Sequence, residues 1–258
     1  MTEQTAAKDP AAMGITRYMR ILDLFGTAHP TWSVAEISAA LDTSASTLYR
    51  LVREMVAVGL LESTVESRYR LGPLFIEYYR RLRLTDPLIR SGATFLEPLI
   101  AQIGLPAMAI LARLHGGTVM CVAERRRHDA TFPTSYELGH PMPLTKGATS
   151  RAVLSTLPKK QVVALVGDKL GEEATAALLG NLAASRKAGI LITSGEVDSG
   201  LTGISAPVHN RALGIYASLS IIIETRHLTT DNRARLATAV ATAARMIDAF
   251  MEEMAASA

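Results

Sequence analysis

The side chains best suited to chemistry lie between Ser44 and Arg70, where Ser44, Ser46, Thr47, Tyr49, Arg50 and Arg53 are followed by Arg68 and Arg70. Hydroxyl and guanidinium groups on one helix face are the groups that meet DNA. Hydroxyls bond phosphate oxygens, and arginine offers paired donors that match a guanine edge. Arg50 is the first candidate for a base contact. Tyr49 has an equal reading as packing on a preceding helix, and Arg53 as the ion-pair partner of Glu54 or Glu36. A second set begins at Gly147-Ala148-Thr149, which opens a helix whose first N–H groups lack partners within it. Such a terminus suits a carboxylate or another anion.

The first set needs two helices and a hairpin to position it. Ser33-Val34-Ala35-Glu36 is a capping box, which starts a helix carrying Val34, Ile37 and Leu41 on one face. Leu41-Asp42-Thr43 breaks that pattern with turn-forming residues. Across Ser44 to Val58, Leu48, Leu51, Val52 and Met55 gather on one side, leaving the hydroxyl and arginine residues outward. Gly59 ends this second helix. Leu60-Leu61 and Arg68-Tyr69-Arg70-Leu71 read as two short strands around a polar tip, with Tyr69 and Leu71 inward and both arginines outward. Together these segments predict a winged helix-turn-helix, although Glu62 and Glu66 make the wing tip less basic than a strong phosphate clamp.

Composition narrows the class. The 258 residues are 48% hydrophobic, enough for two modest cores. A net charge of +3 is compatible with nucleic acid without demanding it. The single cysteine, Cys121, excludes an internal disulfide and a cysteine-based zinc cage within one chain. It reads as a core residue. Residues 1–12 are polar and Ala-rich, without a signal-peptide core, and no apolar run is long enough to span a membrane. The expectation is a cytoplasmic protein with a disordered start and no membrane association.

Ile15, Tyr18, Leu22 and Phe25 trace a first helix over the reader domain, which is placed at 13–72. Pro73 to Leu84 forms a linker helix with Phe75, Tyr78 and Leu82 on one stripe, suited to packing or a dimer contact, and the linker as a whole covers 73–86. Asp86-Pro87, an N-cap with proline at the first helical position, starts another helix running to Ile103. Beyond it, Pro106–Leu114 with Thr118–Glu124, and Leu201–Val208 with Ile215–Ile223, pattern as two hairpins. Helices are expected at Gly147–Leu157, Lys159–Val166 and Glu172–Ala188, and a last one carries Leu236, Val240, Ala243, Ile247, Phe250 and Met254. Hairpins with segregated helices predict an α+β domain on an antiparallel sheet, covering 87–258. Arg125-Arg126-Arg127-His128 reads as a solvated loop, with guarding a pocket mouth or touching DNA as less favoured alternatives.

Several blocks in order now carry a resemblance: Ser46-Thr47-Leu48-Tyr49-Arg50-Leu51, Tyr69-Arg70-Leu71-Gly72, Pro143-Leu144 before Gly147, Gly195-Glu196-Val197-Asp198-Ser199-Gly200, Ile204-Ser205-Ala206-Pro207-Val208 and Ser218-Leu219-Ser220. The chain resembles the IclR family of bacterial transcriptional regulators. The resemblance implies a winged helix-turn-helix, a linker helix and a C-terminal GAF-like domain that binds a small metabolite. It also implies homodimers, often paired into homotetramers, acting on palindromic double-stranded operators, here of catabolic genes. By similarity the effector pocket adds Leu144, Thr193, Leu201, Gly203, Ser220 and Ile222 to Gly147, Ala148 and Thr149. Ile222 replaces a second polar residue, which predicts an aromatic or longer acid over a tiny keto acid. The chain departs from the family at Ser44-Ala45, where Pro-Lys is usual, at Ser150-Arg151 in place of Gly-Lys, and at Asn210 in place of Asp.

The competing class is a small-molecule enzyme with an unrecognised site in the C-terminal domain. The sequence has no Gly-x-Ser-x-Gly elbow, His-Glu-x-x-His pair, P-loop or dinucleotide fingerprint. His115, His140, His209 and His227 are scattered. Neither cofactor nor metal is expected. A third reading uses the winged domain on another protein. At single residues the structural readings are that Gly147 serves only as a helix entry and Ser220 only satisfies a strand.

Overall fold

The structure is a computed structural model that describes residues 14–256, so the expected disorder of residues 1–12 lies outside the described residues. Contacts divide the chain into two units between Leu84 and Thr85. The first contains α1 (Ile15–Leu22), β1 (Trp32–Ser33), α2 (Val34–Leu41), α3 (Ala45–Ala57), β2 (Leu61–Ser63), β3 (Arg68–Leu71) and α4 (Leu74–Thr85). The capping box forms as read: the Glu36 N–H donates to Ser33 Oγ at 3.3 Å, and the Ser33 N–H donates to Glu36 Oε2 at 2.7 Å. Asp42 stops α2 in the left-handed region at φ +47°, a conformation that Asp adopts more readily than most residues. This turn redirects the chain into α3. Leu48, Leu51, Val52 and Met55 of α3 then meet Ile21, Val34, Ile37 and Leu61 in one buried core. Burial of this kind contributes about 1.5–3 kcal/mol per large aliphatic side chain.

The wing is a three-stranded antiparallel sheet in the order β1-β3-β2. Its third strand, β1, was not legible. Two side-chain directions differ from expectation. Leu71 is 44% exposed at the end of β3, because the strand stops there and nothing covers it. Arg68 is half-buried, since its guanidinium binds the Thr31 carbonyl at 2.9 Å and Glu36 at 3.0 Å. Phe25 lies beyond α1 but still packs on the core. No residue of α4 is buried.

The second unit contains α5 (Pro87–Ile103), β4 (Ala107–His115), β5 (Thr118–Arg126), β6 (Pro141–Met142), α6 (Gly147–Ser155), α7 (Lys159–Leu170), α8 (Glu172–Ala188), β7 (Leu191–Ser194), β8 (Leu201–Asn210), β9 (Ile215–Glu224) and α9 (Thr230–Ala256). The six strands form an antiparallel sheet in the order β6-β5-β4-β9-β8-β7. Both expected hairpins are present. Asp86 caps α5 by accepting from the Ile89 N–H at 3.0 Å. Strand alternation sends Ala109, Leu111, Ile204, Ala206, Leu219 and Ile221 to one face, where they join α5 and α9 in the largest core. The alternate residues, Met108, Ile110, Ser205, Ser218, Ser220 and Ile222, are buried on the other face. That face carries the candidate effector site. Among the described residues, no helix is long and apolar enough to cross a membrane.

Candidate DNA-reading face and effector site

The outer surface of α3 carries Ser46, Tyr49, Arg50 and Arg53, which line one shallow depression together with Glu54 and Ala57. Ser44 is the N-cap of α3, and its hydroxyl contacts Ser46 at 3.3 Å and Thr47 at 2.9 Å. Tyr49 is 56% exposed, so it does not pack on α2. Arg50, not Arg53, pairs with Glu54, at 2.9 Å. The i,i+4 spacing of that pair was a legible signal. Glu54 also accepts from the Tyr18 hydroxyl of α1, and this bond, with Arg50, holds its carboxyl below the usual range. The same bond raises the Tyr18 phenol. Arg68 sits apart from the outer face of α3 in its contacts, bound to Thr31 and Glu36, and Arg70 pairs with Glu62 across the wing.

The effector-side residues converge more tightly. α6 lies against the sheet with every residue buried except half-buried Arg151. Its small residues permit this: a Cβ added at Gly203 on β8 would stand 3.6 Å from Ala148 Cβ and 3.7 Å from Ile222 Cδ1. Thr149 Oγ1 donates to Ser220 at 3.0 Å, and Ser205 donates to the same oxygen at 2.8 Å. Ser218 donates to the Thr149 carbonyl at 3.1 Å. These hydroxyls come from three elements, and β8–β9 register places Ser205 opposite Ser220.

The first N–H groups of α6 are not free, which corrects the sequence expectation. Gly147 N–H donates to Glu196 Oε2 at 3.1 Å, and Ala148 N–H donates to Thr193 Oγ1 at 2.9 Å. Glu196 is itself clasped by Arg151 at 2.8 Å. The chain thus supplies its own anion to this helix terminus. Beside α6, Leu201 and Ile222 join Met108, Ile110, Cys121, Phe132, Tyr136 and Met142 in an apolar wall. Leu144 packs elsewhere, with Ala112, Val119 and Val153.

Sequence reading missed the segment 127–140, which closes the site. Phe132 and Tyr136 belong to it and are buried. Arg126 is not part of a solvated loop: it ends β5 and donates to the Ala130 and Phe132 carbonyls at 3.0 and 2.9 Å. Asp198 accepts from Thr134 Oγ1, the Ser135 N–H and Ser135 Oγ. Burial pushes the Tyr136 phenol up to about 12, although its bond to Thr149 opposes this. Burial likewise pushes the Cys121 thiol up to about 12. Near neutral pH both remain protonated, so the phenol is a hydrogen-bonding group and the thiol is not a nucleophile. Among the described residues, no group of His, Cys, Asp and Glu is arranged to hold a metal.

Comparison with known proteins agrees with this geometry. The family model described as "Bacterial transcriptional regulator IclR C-terminal" matches residues 86–249, and the IclR helix-turn-helix domain matches residues 14–64. The HTH-type transcriptional regulator KipR of Bacillus subtilis is 22% identical over 240 residues, covering 90% of this chain and 94% of KipR. An IclR transcriptional regulator from Alicyclobacillus acidocaldarius superposes with a TM-score of 0.76 at 20% identity, covering 95% of this chain and 100% of that one. An IclR homolog from Microbacterium hydrocarbonoxydans, complexed with 4-hydroxybenzoate, superposes with a TM-score of 0.75 at 20% identity, covering 93% and 99% of the two chains. With both of its halves matched in order, the chain belongs to the IclR family of bacterial transcriptional regulators.

Proposed function

We propose that this regulator senses an aromatic or longer organic acid and adjusts its hold on operator DNA accordingly. The carrying observation is the buried hydroxyl set of Thr149, Ser205 and Ser220, placed beside the N-terminus of α6 and an apolar wall that contains Ile222. Thr149 and Ser205 both donate to Ser220, which leaves the Ser220 O–H to meet a carboxylate, and the wall suits a ring. The 4-hydroxybenzoate of the Microbacterium homolog supports this class of ligand. In this reading Gly147, Ala148, Thr193, Leu201 and Gly203 shape the site, and Leu144 only supports it from behind. Tyr136 and Cys121, both held protonated by burial, suit a binding role there. The protein works in the cytoplasm, where its DNA is, with residues 13–72 reading DNA, 73–86 linking, and 87–258 holding the effector.

The DNA-reading group is Ser44, Ser46, Thr47, Tyr49, Arg50 and Arg53, with Arg70 on the wing. Arg68 braces the wing through Thr31 and Glu36. A second copy of the chain covers the exposed Phe75, Ile76, Tyr79 and Leu82 of α4, pairing two winged domains on one operator. Ligand acts through different affinity for two arrangements of that pair. The test is a salt-dependent mobility shift on the DNA upstream of the protein's own gene, with and without 4-hydroxybenzoate. Arg50→Ala is expected to lose about 1–3 kcal/mol of discrimination against scrambled DNA. Equal weakening on both DNAs assigns Arg50 to phosphate and refutes its base-reading role. The assay is repeated with a panel of aromatic and longer organic acids, and a wild-type shift that none of them alters refutes the sensing role.

A further inference from the structure

A second cleft opens at the far end of α6, within the larger unit and apart from the hydroxyl set. It encloses about 640 Å³, and its walls include Leu157, Arg186, Pro207, His209, Arg211 and Tyr216. That volume lies in the usual range of small-ligand pockets, roughly 300–1,000 Å³. Two arginines and a histidine face it, and among the described residues no Asp or Glu lines it. Asp248 does not line the cleft, but it accepts from the backbone N–H of His209 at 2.9 Å and interacts electrostatically with its imidazole.

The arginines are in different situations. Arg186 donates to the Ser155 carbonyl at 2.6 Å and to the Leu157 carbonyl at 2.5 Å. It thereby neutralises the C-terminal end of α6, which would otherwise repel an anion. Arg211, by contrast, is exposed on the β8–β9 turn and has no ion-pair partner among the described residues. Pro158 also lines the cleft and is the N-cap of α7, where it offers no side-chain acceptor to the first turn. The positive end of that helix adds to the same field. Apolar surface from Leu157, Pro207 and the Tyr216 ring forms the rest of the walls.

We propose that this cleft is a second ligand site, taking a small organic anion whose phosphate or carboxylate meets Arg211 and His209 while its apolar body rests on Leu157, Pro207 and Tyr216. The probe is phenyl phosphate, titrated calorimetrically into the full-length protein, with inorganic phosphate as the bodiless control. The expected result is one site per chain for phenyl phosphate, weaker binding of inorganic phosphate, and at least a tenfold loss of affinity in the Arg211→Gln/His209→Gln variant. Both positions are exposed, so the variant keeps its fold, and Arg186 stays in place to hold α6. A wild-type protein that releases no heat with phenyl phosphate overturns the proposal. So does unchanged affinity in the double variant, or a loss that appears instead in Ser220→Ala, which places the anion in the hydroxyl site. A double variant that changes oligomeric state while still binding phenyl phosphate makes the cleft a contact between copies and equally overturns it.

Discussion

Replacing Gly147 by alanine tests how closely the effector site is closed. Gly147 lies at φ +78°, and a Cβ there would stand 2.8 Å from Val197 Cγ2 and 2.9 Å from the Tyr136 hydroxyl. Two costs follow. An L-residue held in the left-handed region loses about 1–2 kcal/mol, and overpacking a filled interior loses about 1–3 kcal/mol more. Gly189 isolates the first cost: it caps α8 at φ +67° with nothing within 4 Å of an added Cβ. Gly189→Ala is therefore expected to destabilise by about 1–2 kcal/mol and Gly147→Ala by about 2–5 kcal/mol. In a unit of this size 1 kcal/mol moves the midpoint by about 2–4 °C, so an excess near 2 kcal/mol separates the variants by about 4–8 °C. Scanning calorimetry on the full chain measures it, while Trp32, the single tryptophan and a member of the smaller unit, reports that unit separately by fluorescence. Equal shifts for the two variants refute the close packing of Val197 and Tyr136 around Gly147.

Two further outcomes are expected. Ser220→Ala removes the acceptor of both Thr149 and Ser205, whereas Ser218→Ala removes only one donor from the Thr149 carbonyl; calorimetry should show the first losing about 1–3 kcal/mol and the second less. Burial pushes the Asp248 carboxyl up to about 6, against an unfolded value of about 4. Between those values the unfolded chain has already released its proton and the folded one has not, so this group subtracts stability as pH rises from about 4 to about 6. Urea midpoints of the wild type should therefore fall relative to Asp248→Asn across that window, and parallel curves refute the burial.

What was legible in the sequence was local. Ser33 and Glu36 announce α2 because both halves of a capping box lie three residues apart, and Asp86-Pro87 fixes the start of α5 for a similar reason. The sheet faces follow from alternation: Ser220 and Ile222 of β9 share one face, and Ser220 meets Thr149 of α6 there. Edge strands of two residues, β1 and β6, carry too little pattern to be read. Long-range partners were equally hidden. Nothing near Gly147 indicates that Glu196, 49 positions away, occupies its N–H, nor that Asp198 and Arg126 fasten the segment around Tyr136. Arg68 and Arg70 look equivalent in sequence, yet one faces Thr31 and Glu36 and the other Glu62.

Helix α6 has nine residues and is gripped at both ends, by Glu196 and Thr193 at Gly147–Ala148 and by Arg186 at Ser155. A helix that short, about 13 Å from end to end, bends too little to absorb a displacement within itself. A shift of its first turn is therefore carried toward the carbonyls that Arg186 holds. If the two proposed sites at its ends are coupled through it, the coupling is reciprocal: whatever loads one end changes the affinity at the other by the same factor.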